Sequence, residues 1–167
     1  MIQVYTGKGK GKTTAALGLA LRASGAGLEV YIGQFIKGKP YSEFKILRNI
    51  PRIKVEQYGR GCFIKCKPKQ RDIDLAFQGL MRARQIITGR NYDMIILDEI
   101  NVAVYLGLLN VNEVVNLCKS IPEGMELVLT GRRAHPKIIK LADLVSEIRD
   151  IKHYYKKGIK ARKGIEF

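Results

Sequence analysis

The sequence predicts an α/β fold with a mostly parallel sheet and helices on both of its faces. Short apolar segments alternate along the chain with stretches in which apolar residues recur at helical spacing. Two motifs typical of nucleotide sites each follow an apolar segment, where the carboxyl ends of parallel strands meet. With 167 residues, of which 46% are apolar and 27% charged, the chain fits one globular domain spanning residues 1–167.

Each element has its own signal in the sequence. The strands are apolar runs such as IQVYT and MIIL, whereas the helices show apolar residues three and four positions apart and several end near glycine. In chain order we expect a strand at 2–6, a helix at 12–24, a strand at 28–36, a short helix within 40–51, a strand at 54–58, a helix at 72–88, a strand at 94–99, a helix at 111–119, a strand at 126–131 and a helix at 137–142. The tail YKKGIKARKGIEF is expected to form a C-terminal β-hairpin that turns at Gly158.

The segment TGKGKGKTT indicates a loop that binds a nucleotide triphosphate. It follows a predicted strand and opens a predicted helix, so that backbone amides and the positive helix end face one anion. A lysine and a hydroxyl at its end would contact phosphate and Mg²⁺. Thr6 stands where the usual pattern has its first glycine, which shortens the loop by one residue. The predicted nucleotide-binding residues are Gly7, Lys8, Gly9, Lys10, Gly11, Lys12, Thr13 and Thr14.

MIILDE places two carboxylates at the end of a second buried strand. Asp98 and Glu99 resemble the acidic motif that positions Mg²⁺ or a water in phosphate-loop proteins, so we expect them to share the metal with Thr13. Arg132 follows a third strand at the same sheet edge and is expected to reach a phosphate oxygen. Together these motifs favour a RecA-like phosphate-loop fold.

Composition narrows the compartment and the partners. The sequence contains no run of apolar residues long enough for a membrane span and starts with no signal peptide, so we expect a cytoplasmic protein without a membrane partner. Cys62, Cys66 and Cys118 are expected to be free thiols, with a redox or ligand-contacting role for the first two as the alternative. The net charge of +15 favours anionic partners.

Five segments together are similar to one family. In order and spacing, VYTGKGKGKTTAALG, QFIKG, MIILDE, LTGR and GIKARKGIEF resemble the ATP:corrinoid adenosyltransferases of the cobalamin-assimilation type. The resemblance covers nearly the whole chain, and the family's loop also begins Thr-Gly. It implies transfer of the 5′-deoxyadenosyl group of ATP to the cobalt of a reduced corrinoid such as cob(I)alamin, with triphosphate as the leaving group.

The resemblance also implies roles and partners. Lys12 and Arg132 would act as catalytic residues that stabilise the charge on triphosphate, and ATP would lie along the loop in the reverse sense to that of kinases. Mg²⁺, a reduced flavoprotein electron donor and a homodimer are implied as well. Some members carry an N-terminal helix that covers the site, and we expect this cover to be absent or replaced here.

The corrinoid segment departs from the family pattern. Members often have Gly-Phe-Thr-Trp, whose aromatic rings are thought to crowd the lower face of cobalt, whereas this chain has GCFIKCKPKQRD. Phe63 and Ile64 are the expected corrinoid contacts, with simple core packing as the alternative. Lys8 stands where Asn is common, which adds charge beside the triphosphate.

Two other enzyme classes fit parts of the sequence. A RecA-like nucleic-acid-stimulated ATPase would share the loop and the acidic strand, but few aromatic residues are available to stack on bases, so nucleic acid is a less favoured partner. A small nucleoside or nucleotide kinase would need a carboxylate base and an arginine-rich lid. Reaction products separate these alternatives, because both would release ADP and the transferase would release triphosphate.

Overall fold

The computed structural model describes residues 1–39, 41–61 and 67–166. Within these ranges six parallel strands form one sheet in the order β3-β2-β4-β5-β1-β6. The strands are β1 Ile2–Thr6, β2 Val30–Lys37, β3 Ile53–Gly61, β4 Met94–Asp98, β5 Glu126–Thr130 and β6 Leu144–Glu147. The helices are α1 Lys12–Gly25, α2 Ser42–Leu47, α3 Gln70–Gly89, α4 Ile100–Tyr105, α5 Val111–Lys119 and α6 Pro136–Ile139, followed by a 3₁₀ helix at Tyr154–Lys157. The α/β prediction is therefore confirmed.

The sheet separates two layers of core. Successive residues of β4 point to opposite faces, so that Ile95 and Leu97 belong to one apolar cluster and Ile96 to the other. The first cluster lies under α3, α4, α5 and α6 and the second under α1 and α2. On α1 the buried face consists of Ala16, Ala20 and Ala23, whose small side chains bring this helix close to the sheet.

Two elements were not expected from the sequence, and one expectation was wrong. The short helix α4 begins directly after the acidic motif, and β6 is an edge strand whose residues are all exposed, which removes the usual apolar signal. The C-terminal β-hairpin is absent from the described residues. Gly158 does turn the chain, with φ +78°, but the residues around it form the 3₁₀ helix and further turns. Their polar groups bond to the loop after β1 instead of to a second strand.

The structure bears on the expectations about membrane spans and free cysteines. None of the helices in the described ranges is both long and apolar enough to cross a membrane. Cys118 is a free, buried thiol on α5, and burial raises its pKa to about 12. Such a thiol is inert packing, as expected for that residue, whereas Cys62 and Cys66 lie outside the described residues.

Gly79 on α3 allows a test of this packing. A Cβ at this position would lie 2.7 Å from the ring of Tyr58 and 2.9 Å from that of Phe35. The Tyr58 hydroxyl donates to Glu56 and is also hydrogen-bonded to the Tyr31 hydroxyl, so that ring cannot easily move away. We predict that Gly79→Ala lowers the free energy of unfolding by about 1–3 kcal/mol, as overpacked cores do, measured by urea denaturation.

Gly18 is the matched control for this substitution. It is also helical, but a Cβ there would meet nothing within 4 Å. Gly18→Ala should therefore stabilise the protein by about 0.5–1 kcal/mol through helix propensity alone. Equal effects of the two substitutions would contradict the close contact between α3 and the sheet.

Candidate nucleotide site

The loop between β1 and α1 is shaped by glycines at its two ends. Gly7 has φ +95° and Gly11 φ +118°, a region that favours glycine. At Gly7 a Cβ would also lie 2.4 Å from the carbonyl oxygen of Ile148, so the residue is needed for space as well. The loop leads into α1, a helix of 14 residues whose first amides carry the positive end of the helix dipole. The structure thus joins a glycine-containing loop to the amino-terminal end of a helix, as the sequence predicts.

The lysine at the start of α1 folds back over the loop. Lys12 is 7% exposed, and its Nζ donates hydrogen bonds to the carbonyl oxygens of Gly7 at 2.9 Å and Gly9 at 2.6 Å. Burial lowers the pKa of Lys12, and the nearby charge of Arg132 lowers it further. An anion bound near Lys12 would offset both effects.

Asp98 is the centre of the hydrogen-bonding network at the carboxyl end of the sheet. Its Oδ1 accepts from the hydroxyls of Thr13 at 2.9 Å and Thr130 at 2.6 Å. Its Oδ2 accepts from the Nζ of Lys37 at 2.8 Å and, at 3.4 Å, from Gln34. The carboxylate is fully buried, so these partners replace the water that it would otherwise bind.

Glu99 turns toward the same network through an unusual backbone. It has φ +62°, in the left-handed region, and its amide donates to the hydroxyl of Thr130 at 3.0 Å. Burial raises the pKa of the Glu99 carboxyl, the charge of Asp98 raises it further, and Lys37, Lys12 and Arg132 oppose the shift. A cation at this position would favour the ionised form.

Lys37 is a second, largely buried lysine of the site. Burial alone would lower the pKa of its ammonium, but the charge of Asp98 and the hydrogen bond to it outweigh that effect and leave the pKa raised. Lys37 is therefore charged, and its Nζ also donates to the hydroxyl of Thr13 at 3.3 Å.

The donor set suits Mg²⁺. Carboxylate and hydroxyl oxygens are the ligands that this ion prefers, and it is commonly held by one or two carboxylates together with substrate phosphates. Among the described residues, no group of three or more His, Cys, Asp or Glu side chains is placed to hold a metal ion by itself. Asp98, Glu99 and Thr13 thus fit an ion that takes its remaining ligands from a nucleotide.

A cavity of about 570 Å³ opens beside the start of the loop. Thr6, Gly7 and Lys8 form one wall, and Arg133 and Glu147 contribute from the chain after β5 and from β6. The cavity is large enough for a nucleoside. It lies at the carboxyl edge of the sheet, where ligands of parallel α/β proteins bind.

Comparison with known proteins identifies the family. The model of the family "ATP:corrinoid adenosyltransferase BtuR/CobO/CobP" matches residues 1–167. The chain belongs to this family. Curated proteins named corrinoid adenosyltransferase are similar to it over its whole length: one from Pseudomonas aeruginosa at 36% identity, with 83% of that protein covered, one from Sinorhizobium sp at 37%, with 80% covered, and one from Escherichia coli K12 at 36%, with 85% covered.

The structure places the predicted site residues in three groups. Gly7, Gly9, Gly11, Lys12, Thr13, Asp98 and Glu99 lie around one end of the sheet. Lys8 lines the cavity, whereas the side chain of Lys10 points away from the loop and bonds to Tyr154 and Glu166. Thr14 is exposed on α1, and Phe63 and Ile64 lie outside the described residues.

Sequence reasoning missed Lys37 and Thr130. Both stand at the carboxyl ends of strands that neighbour β4, and strand order is not visible in the sequence. In the sequence, QFIKG stands out only for its similarity to the family, and LTGR for its arginine. The position of both residues at strand ends was the signal available.

Thr130 offers a test of the network. Thr130→Val leaves the partly buried amide of Glu99 without its acceptor and the buried carboxylate of Asp98 without one donor. We predict a loss of about 1–3 kcal/mol in the free energy of unfolding and weaker binding of Mg-ATP, measured by denaturation and calorimetry. Thr130→Ser, which keeps the hydroxyl, should retain most of both. If the valine and serine variants behave alike, the hydroxyl is not what orders the site.

Proposed function

We propose that this protein transfers the 5′-deoxyadenosyl group of ATP to the cobalt of a reduced corrinoid and releases triphosphate. The match of the family model to the whole chain carries the proposal. The site supports it, because Lys12, Thr13 and the glycine loop offer donors to a bound triphosphate. A nucleic-acid-stimulated ATPase and a nucleotide kinase could use a similar loop, but neither accounts for a match of this extent.

The proposed reaction builds charge on the leaving group. The Co(I) substrate supplies an electron pair to C5′, a Co–C bond forms, and the C5′–O bond breaks with its electrons leaving on triphosphate. Lys12, Arg132 and loop amides other than that of Gly9, which donates to Ile148, would stabilise that charge through fixed donors. The nucleophile is the substrate's metal, so the protein's own work is to position C5′ and to exclude water.

Mg²⁺ would be held by Asp98, Glu99 and Thr13. When bound, it would supply Lewis-acid stabilisation to the phosphate oxygens. Two of these groups lie together in the structure, because the hydroxyl of Thr13 donates to Asp98 at 2.9 Å.

The nucleoside would occupy the cavity beside the loop. The family resemblance implies that ATP lies in the reverse sense along the loop, so the adenosine leaves it at the opposite end from that in kinases. The cavity next to Thr6, Gly7 and Lys8 lies at the start of the loop and has the volume for it. Lys8, in place of the common Asn, would then stand beside the ribose and the α-phosphate.

The products of one anaerobic reaction test the proposed function. Purified protein is mixed with Mg-ATP and a chemically reduced Co(I) corrinoid, and visible spectra and phosphate products are followed. We expect a light-sensitive adenosylcorrinoid and one triphosphate for each cobalt alkylated. ADP without adenosylation would contradict the proposal and favour an ATPase or a kinase instead.

Two variants separate the nucleotide site from the corrinoid site in that reaction. Lys12→Met should lower turnover by about 100-fold or more, as losses of one aligned donor do. Phe63→Ala should still bind ATP and alkylate preformed Co(I), but should lose reduction of the Co(II) corrinoid. Phe77→Ala, which removes an exposed ring on α3, is the matched control. Loss of ATP binding in Phe63→Ala would contradict a corrinoid role.

We further propose that the electron donor is a reduced flavoprotein with an acidic surface. Along the chain from residue 45 to residue 71 several basic side chains are exposed: Lys45, Arg48, Lys54, Lys67, Lys69 and Arg71. Because salt screens exposed charges, the rate supported by an acidic flavodoxin should fall steeply as ionic strength rises. The rate with a small chemical reductant serves as the control and should change little. A flavodoxin-dependent rate that ignores salt would contradict this docking.

A further inference from the structure

The end of β2 departs from regular strand geometry just before Lys37. The pairing with β3 shifts register between Phe35 and Lys37, and Ile36 has φ +67°. A β-branched residue rarely adopts this conformation, and such strain persists only where the surroundings enforce it. Glycine in the next strand makes room for the distortion, since a Cβ on Gly59 would lie 2.1 Å from the carbonyl oxygen of Ile36.

The distortion brings two side chains of β2 onto one carboxylate. In a regular strand, residues three positions apart point to opposite faces. Here both Gln34 and Lys37 reach Oδ2 of Asp98. The backbone therefore directs the ammonium of Lys37 into the nucleotide site.

Lys37 bonds to the two groups best suited to hold a divalent cation. Its Nζ lies 2.8 Å from Oδ2 of Asp98 and 3.3 Å from the hydroxyl of Thr13. Its side chain is 12% exposed and that of Asp98 is 1% exposed, so water screens their attraction little. A divalent cation that bound both groups would meet this ammonium at close range and would have to displace it.

We propose that Lys37 is a resident cation that keeps free Mg²⁺ out of the site until a nucleotide arrives. Triphosphate would bring further oxygen ligands for the metal and a new anionic partner for the displaced ammonium. Metal binding thereby depends on the nucleotide, through a residue outside the phosphate loop and the acidic strand. The inference rests on the proposed Mg-ATP site but not on the fate of the adenosyl group.

Binding of Mn²⁺ to the full chain in the absence of nucleotide is the test, with free Mn²⁺ followed by electron paramagnetic resonance. We expect weak binding to the wild-type protein and a dissociation constant at least ten-fold lower for Lys37→Met. Lys119→Met, which removes an exposed charge at the end of α5, should bind as the wild type does. Lys37→Met combined with Asp98→Asn should lose the gain.

Thermal melting provides a second measurement. Without metal, Lys37→Met leaves Asp98 with one partner fewer and should melt at a lower temperature than the wild type. Mn²⁺ should raise its melting temperature and leave that of the wild type unchanged. Should Lys37→Met fail to fold, Lys37→Gln, which removes the charge but keeps a polar side chain beside Asp98, replaces it in the same nucleotide-free titration.

Two outcomes overturn the inference. One is tight Mn²⁺ binding to the nucleotide-free wild type, and the other is equal binding to wild type and Lys37→Met. Neither outcome depends on adenosyl transfer. If Mn²⁺ behaves as expected but the anaerobic reaction yields ADP, the proposed function fails and the role of Lys37 stands.

Discussion

The rest of the site depends on one buried charge. The carboxylate of Asp98 is taken out of water at the end of β4, which costs several kcal/mol unless donors surround it. Those donors come from three other elements: Thr13 on α1, Lys37 and Gln34 on β2 and Thr130 on β5. Each element must hold its position for the carboxylate to be stable, so the same contacts that stabilise the sheet's edge also align the groups for Mg-ATP.

The phosphate loop depends in turn on the chain beyond the sheet's last strand. The amide of Gly9 donates to the carbonyl of Ile148 at 2.8 Å, and a side chain at Gly9 would collide with Arg149. Lys10 bonds to the carboxylate of Glu166, at 2.9 Å, and to Tyr154. The C-terminal segment is thus part of the loop's support.

The sequence predicted the elements and site residues that have a local pattern of their own. Apolar runs and helical spacing marked β1 to β5 and most helices, because buried faces leave periodic signals. β6 was missed since its edge residues, such as Leu144 and Val145, are exposed, and the tail was misjudged because its bonds go to Lys10, far away in sequence. Lys12, Thr13, Asp98 and Glu99 were found from motifs. Lys37 was not, because its role arises from strand order and from the strained backbone at Ile36.

Three lysines of the site bond to groups of the protein itself. Lys10 is paired with Glu166, Lys12 with carbonyls of its own loop and Lys37 with Asp98. If Lys12 or Lys37 leaves its partner to bind the triphosphate of ATP, part of the binding energy of ATP offsets the hydrogen bonds that are lost. The affinity for ATP is then lower. The leaving triphosphate carries more charge than it does within ATP, so the same exchange becomes more favourable as the C5′–O bond breaks. Interactions that strengthen along the reaction lower the barrier, whereas equally strong binding of substrate would not.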